Sequence, residues 1–247
     1  MPEKSVALIM AGGEGTRMAQ TRPTVPKPLV DLGGIPLVEI MIRQLLNTGF
    51  RDIRLALRHK ADMIIDHLEK CPGIDQDVLR FIVEDEPLGT IGSLAQMKES
   101  GSTVLVMNGD LLSGLDLKAL IDFHKGEGAD MTIATHTEYH RLKLGEVIGG
   151  DGHRVVDYLE KPVKEYRISS GIYLIEPPLL ALCKEREWLQ FPHLVKSAIE
   201  VKLKILEYYH TEPWLDINNE EDLAQAREMF LQDPVAFGID PDLVKIS

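Results

Sequence analysis

Short apolar runs alternate with amphipathic stretches through the first half of this chain, and that alternation confines it to few folds. Val6–Met10, Ile53–Leu57, Phe81–Val83 and Val104–Met107 are strand-length runs with little polar interruption. Between the first two, Pro36 opens a stretch in which Leu37, Ile40, Met41 and Leu45 recur at helical spacing, and Gly49 closes it. Ala61–Lys70, Thr90–Glu99 (started by Gly89 or Thr90) and Asp116–His124 read as further helices. Strands without polar alternation need cover on both faces, and helices interleaved with them supply it. The expected fold is therefore α/β, a Rossmann-like three-layer α/β/α sandwich with a mixed, mostly parallel central sheet.

Beyond Ala129 the pattern changes to shorter β-like runs, Met131–Thr135, Glu146–Ile148, Val155–Leu159 and Ile172–Ile175, with Asp151-Gly152 as a hairpin turn. A charged helix from about Glu220 to Leu231 follows near the end. No repeat or Ser/Gly linker divides the 247 residues. They are expected to form one domain, 1–247, with a β subdomain at about 130–175 inside it.

A net charge of −12 argues against a nucleic-acid or anionic-membrane surface. One segment departs from this balance: between Gly15 and Val30 stand Arg17, Arg22 and Lys27 without a single acid. A short cationic stretch in an acidic chain suits a small bound anion. The run Val6–Ala11 is too short to span a bilayer and lacks a basic leader, so no membrane anchor or signal peptide is expected. Cys71 and Cys183 lie far apart without metal-ligand spacing, which suits a reduced, cytoplasmic protein.

The first strand runs directly into Gly12, Gly13 and Gly15, followed by Thr16 and Arg17. Glycines there let several backbone N–H groups face one anion, and an arginine adds a bidentate phosphate contact. Met18 occupies the place of the third glycine of a dinucleotide fingerprint, and no Gly-Lys-Ser/Thr follows, so neither the Rossmann fingerprint nor the P-loop is present. Ten residues beyond Arg17, Pro26 and Pro28 stiffen the backbone on both sides of Lys27. A solvated lysine gains nothing from that; a lysine aimed at phosphate does.

Together, "AGGEGTR" and "PKPL" resemble the signature of the sugar-1-phosphate nucleotidyltransferases, and the resemblance runs in order from Val6 to Leu223. It is similar in particular to the short guanylyltransferases acting on mannose 1-phosphate. The resemblance implies a nucleotide site built from Ala11, Gly12, Gly13, Gly15, Thr16, Leu88, Gly89, Thr90, Asn108 and Gly109. It implies phosphate contacts from Arg17 and Lys27, and Mg²⁺ held by Asp110 and Asp216. Gly145, Glu160, Lys161, Gly171 and Tyr173 fall where the family builds its sugar-phosphate pocket, with Ser169 where relatives carry Asn. NTP and sugar 1-phosphate are the implied partners, and a homodimer is compatible with the pattern.

The chemistry fits these residue types. A sugar 1-phosphate is mostly ionised near neutral pH, its second pKa being about 6, so no general base is needed. Charge neutralisation and alignment are needed instead. Glu84 or Glu86, just before the base-contacting turn, can accept both adjacent donors of guanine, which favours GTP over UTP, dTTP or CTP. The rivals are a catalytically silent regulatory paralogue and a nucleotide-sugar-dependent glycosyltransferase; the first has no reason to keep Lys27, Asp110, Lys161 and Asp216, and the second has no use for the glycine loop.

Overall fold

The computed structural model describes residues 5–13, 25–86, 89, 91–184 and 190–245. Strand β1 (Val6–Ala11) pairs in parallel with β2 (Ile53–Leu57) on one side and β4 (Val104–Asn108) on the other, and β2 pairs in parallel with β3 (Leu79–Val83). After β4 the chain makes the short strand β5 (Leu111–Ser113). Then β6 (Met131–Arg141), the hairpin of β7 (Glu146–Gly149) and β8 (Val155–Leu159), and β9 (Val163–Ile175) follow, and later β10 (Ile205–Tyr209) and β11 (Trp214–Asp216). The main sheet has seven strands in the order β10-β6-β9-β4-β1-β2-β3. Only β9 runs against its neighbours, pairing antiparallel with β4 and β6, so the sheet is mixed and mostly parallel as the sequence predicts.

Side chains alternate across each strand, and β1 shows the consequence. Ala7, Ile9 and Ala11 join one buried cluster while Val6 and Leu8 join the other. The first cluster lies under helices α1 (Leu37–Thr48), α2 (Ala61–Glu69) and α3 (Leu117–Glu127). On the opposite face, α4 (Pro177–Leu180) and α5 (Phe191–Glu200) contribute Leu179, Leu180, Leu194 and Ala198 to the second cluster. The last helix, α6 (Glu220–Gln232), returns to the first face through Leu223, Ala226 and Phe230. Gly49 ends α1 at φ 101°, a left-handed conformation that a side chain would strain.

Two expectations change. The stretch expected to be a helix over Thr90–Glu99 is instead a 3₁₀ helix over Gly92–Ser100. Its larger buried side chains Leu94 and Met97, with Ile91 at the N-cap, stand three positions apart, the period of a 3₁₀ turn rather than an α turn. The runs Met131–Thr135 and Ile172–Ile175 are the inner ends of much longer strands, since β6 and β9 continue as a ribbon from Thr135 opposite Ser169 to Arg141 opposite Val163. Its residues are mostly exposed, so backbone pairing rather than apolar content holds it together.

Candidate active site

The carboxyl ends of β1 and β4 lie side by side, and the site grows from that edge. Gly109 N donates to Met10 O at 2.9 Å, which carries the turn after β4 directly across the end of β1. A Cβ at Gly109 would stand 2.8 Å from Met10 O and 2.8 Å from Ala11 Cβ, so only glycine allows this approach. Asp110 follows. Its carbonyl accepts from Ile217 N at 3.0 Å, and β5 pairs antiparallel with β11, placing Asp216 opposite Leu111. Two carboxylates more than a hundred residues apart are thereby set at one point.

Lys27 joins them. Pro26 is extended, and after it Lys27–Leu29 form a short 3₁₀ turn in which Pro28 is buried. The Lys27 ammonium, only 12% exposed, lies 2.7 Å from Asp110 Oδ2, 4.0 Å from Asp216 Oδ1 and 3.4 Å from Asn218 Oδ1. Burial first, and then the neighbouring Asp110 charge, push the Asp216 carboxyl above its ordinary range, with Asn218 and Lys27 pulling the other way. Oδ1 of Asp216 is shielded from solvent and has no hydrogen-bond partner. Two converging carboxylates, one with an unsatisfied buried oxygen, fit the oxygen donor set that a hard divalent cation takes.

Of the residues expected to bind nucleotide, the described ones lie at the end of β1, after β3 and at the end of β4. Ala11 is buried, Gly12 half-buried and Gly13 exposed. Glu84 Oε1 accepts from Ser93 Oγ, which fixes the carboxylate, and its Oε2 lies 3.7 Å from where a Cβ on Gly12 would be. Glu86 is exposed, so of the two acids only Glu84 is held beside the glycines. Gly89 is left-handed at φ 83°. Gly15, Thr16, Arg17, Leu88 and Thr90 lie outside the described residues.

The residues expected on the sugar side divide between β9 of the main sheet and the two ends of the β7–β8 hairpin. β6 and β9 slip register between Ile133 and Thr135, a bulge in which Gly171 adopts φ 71°. A Cβ on Gly171 would meet Asn108 Nδ2 at 2.8 Å, so this glycine lets β9 lie against the Asn108-Gly109-Asp110 turn. Ser169 Oγ lies 3.0 Å from the Tyr173 hydroxyl, while the Tyr173 ring is buried and stacks on Phe191 at 3.7 Å. Only the Tyr173 phenol therefore faces the Ser169 position. Gly145, Glu160 and Lys161 lie farther out. Tyr158 packs over Gly145 and its hydroxyl reaches Glu160 Oε2 at 3.3 Å; Lys161 is exposed, with a left-handed backbone at φ 47°.

Sequence reasoning missed three participants. Asn218, two residues after Asp216, is assigned no role from the sequence, yet it touches Lys27. Its backbone N–H and that of Asn219 both donate to Asp222 Oδ2, and Asn219 caps α6 in a capping box. The spacing Asn219-x-x-Asp222 carried that signal. Trp214 Nε1 donates to Ser170 O at 2.8 Å and so ties β11 to the bulge in β9. Ser170 itself is fully buried, with His136 Nδ1 at 2.9 Å and His210 Nε2 at 2.7 Å from its hydroxyl. One hydroxyl proton serves one of those rings while the oxygen accepts from the other. No spacing in the sequence joins residues 136, 170 and 210.

The family described as Nucleotidyl transferase matches residues 6–233. Mannose-1-phosphate guanyltransferase of Saccharomyces cerevisiae is 32% identical over 238 residues, covering 91% of this chain, and the protein of that name from Debaryomyces hansenii is 31% identical over 236 residues. The chain spans 64% of the length of each of these curated relatives. The crystal structure of HddC from Yersinia pseudotuberculosis complexed with GMP-PN is 27% identical, superposes with a TM-score of 0.69, and is covered over 99% of its length by 92% of this chain.

Proposed function

Because this chain belongs to the nucleotidyl transferase family, we propose that it transfers a nucleoside monophosphate from an NTP, with GTP favoured, to a sugar 1-phosphate. The products are a nucleotide-activated sugar and pyrophosphate. The carrying observation is the convergence of Lys27, Asp110 and Asp216 at the ends of β1 and β4. That trio offers what nucleotidyl transfer needs, countercharge for phosphates and no base.

Asp110 and Asp216 would hold Mg²⁺, which when bound neutralises charge on the phosphate oxygens. Lys27, already packed against both carboxylates, would place its ammonium on the departing pyrophosphate, and Arg17 would bind the triphosphate. Ala11, Gly12, Gly13, Gly15 and Thr16 would cradle phosphates with backbone N–H groups, while Leu88, Gly89, Thr90, Asn108 and Gly109 complete the nucleotide site. Lys161 would hold the phosphate of the incoming sugar, and Glu160 its hydroxyls, near Gly145, Ser169, Gly171 and Tyr173. The sugar phosphate then attacks the α-phosphorus in line, and the pyrophosphate leaves with its charge matched.

The preference for GTP is supported by Glu84, whose Oε2 faces Gly12 once Oε1 is bound by Ser93. Names of the relatives point the same way: two are guanyltransferases, and HddC was solved with GMP-PN. In our reading residues 1–247 are one domain and about 130–175 supplies the sugar side. The test is a matrix of four NTPs against a panel of sugar 1-phosphates, read by pyrophosphate release. Guanylyl transfer to a modified or bulkier sugar 1-phosphate is expected, because Ser169 leaves room where Asn would reach the sugar. Pyrophosphate release with none of the pairs would reject the transferase reading, and a better rate with UTP, dTTP or CTP would reject only the base assignment.

A further inference from the structure

Glu39, His67 and Cys71 meet between α1 and α2, and none belongs to the site above. Glu39 is in the first turn of α1, His67 is in the last turn of α2, and Cys71 stands four residues beyond His67. A carboxylate oxygen, an imidazole nitrogen and a sulfur from the three lie within 4.8 Å of one another, the one such group among the described residues. Two details show that Glu39 and His67 are not satisfied by a hydrogen bond to each other. Both hydrogen bonds that Arg43 donates to Glu39 land on Oε1, at 2.9 and 2.7 Å, which leaves Oε2 to the cluster. Oε2 faces His67 Nε2 at 3.6 Å, beyond hydrogen-bond reach, and that nitrogen is shielded from solvent with no hydrogen-bond partner.

A separation of 3.6 Å suits two ligands of one ion. Tetrahedral zinc with N and O ligands at about 2.0–2.2 Å sets them about 3.3–3.6 Å apart. We propose that Glu39 Oε2, His67 Nε2 and Cys71 Sγ form a binding site for a borderline-soft divalent cation, zinc in kind, distinct from the Asp110–Asp216 pair. Three protein ligands leave one tetrahedral position, which water would fill. Arg43 also donates to Pro72 O at 2.9 Å, so one guanidinium holds both Glu39 and the residue after Cys71 in place. Without metal the Cys71 thiol is a neutral group, pushed up to about 12 mainly by burial and then by its hydrogen bond to Glu39. Binding exchanges its S–H bond for a metal–sulfur bond and releases the proton to solvent. Thiolate and imidazole ligands discriminate against Mg²⁺, whereas the all-oxygen pair Asp110 and Asp216 does not.

The full-length chain, stripped with chelator and kept in excess Mg²⁺, should be titrated with Co²⁺ as a spectroscopic probe and with Zn²⁺ by equilibrium dialysis. Saturation at a single ion per chain is expected, with the intense near-ultraviolet absorption of a cobalt–thiolate bond. Cys71→Ser should abolish that absorption, and both Cys71→Ser and His67→Gln should weaken Zn²⁺ binding at least as much as loss of an outer partner does, about 10–100-fold. Cys183→Ser should change neither. Absence of the thiolate absorption in the unmodified chain, its loss in Cys183→Ser, or undiminished Zn²⁺ binding in His67→Gln would each overturn the site. The unmodified chain and Cys183→Ser give a decision even if Cys71→Ser does not fold.

Discussion

Lys27, Asp110 and Asp216 compete for one another in the absence of phosphate, and each should fail differently when replaced. Asp110→Asn should lower turnover by about a hundredfold or more, the scale of losing one preorganised electrostatic contact. Its thermal midpoint should stay close to that of the parent, because Asn keeps an oxygen that can accept from Lys27 and the Asp216 carboxylate remains beside the ammonium. Near-normal turnover at saturating Mg²⁺ would reject the role. The two lysines should separate by substrate. Lys27→Met should raise the requirement for NTP and slow the chemical step, while Lys161→Met should weaken sugar 1-phosphate. Each loses a charge-assisted hydrogen bond of about 1.5–3 kcal/mol, or roughly ten- to a hundredfold. Titration of each substrate separately reads the split, and equal defects toward both substrates in both variants would refute it. Gly109→Ala puts a methyl 2.8 Å from Met10 O, against backbone that cannot rotate away. A cost of about 1–3 kcal/mol is expected in urea unfolding, with activity lost alongside because Asp110 moves with the turn.

At the scale of elements, the β11 strand and the β9 bulge hold the second carboxylate, and the buried His210, with His136 beside it, meets the bulge at Ser170. His210 is 3% exposed. Burial holds its imidazole below the ordinary value, helped by His136 and opposed by Glu212. The sign follows from linkage. In the unfolded chain the ring takes a proton near its ordinary pKa of about 6.5, while the folded ring stays neutral to lower pH. The contribution is therefore complete above the ordinary value and is lost as pH falls through the folded one. Between about pH 7.5 and about pH 5.5 the urea midpoint of the parent should drop more than that of His210→Gln, and equal drops would show that another group is responsible. The sequence revealed these elements unevenly. β2 and β8 carry compact runs and have the predicted ends, as does the Gly49 stop of α1. The outer halves of β6 and β9 do not announce themselves, because Thr137 to Arg141 and Val163 to Arg167 pair through backbone while their side chains meet solvent. β5 and β11 are three residues each, too short for any periodicity, yet they set Asp216 beside Asp110. The glycine and Asp motifs were legible because they demand particular residues. Asn218 and Ser170 matter through partners distant in sequence, which no local pattern encodes.

Across the whole molecule, the two cysteines mark the two faces of the sheet. Cys71 packs in the cluster with α1 and α2, and Cys183 in the one with α4 and α5. Burial raises both thiols, to about 12 and about 11, so neither offers thiolate near neutral pH. In metal-free native protein both should resist a thiol reagent, and both should react at the same urea concentration if the two layers unfold as one. Reaction of Cys183 well before Cys71, resolved by peptide mapping, would show that the face bearing α4 and α5 opens separately. The strand order also fixes a sequence of events during synthesis. All seven strands of the main sheet have been made once Tyr209 is added, but Asp216 comes only afterwards, on a ribbon that turns back to β5. A ribosome would thus release a nearly complete sheet before it releases the second carboxylate. On the reading that Asp216 holds the metal, competence for transfer would be acquired after the architecture that houses it.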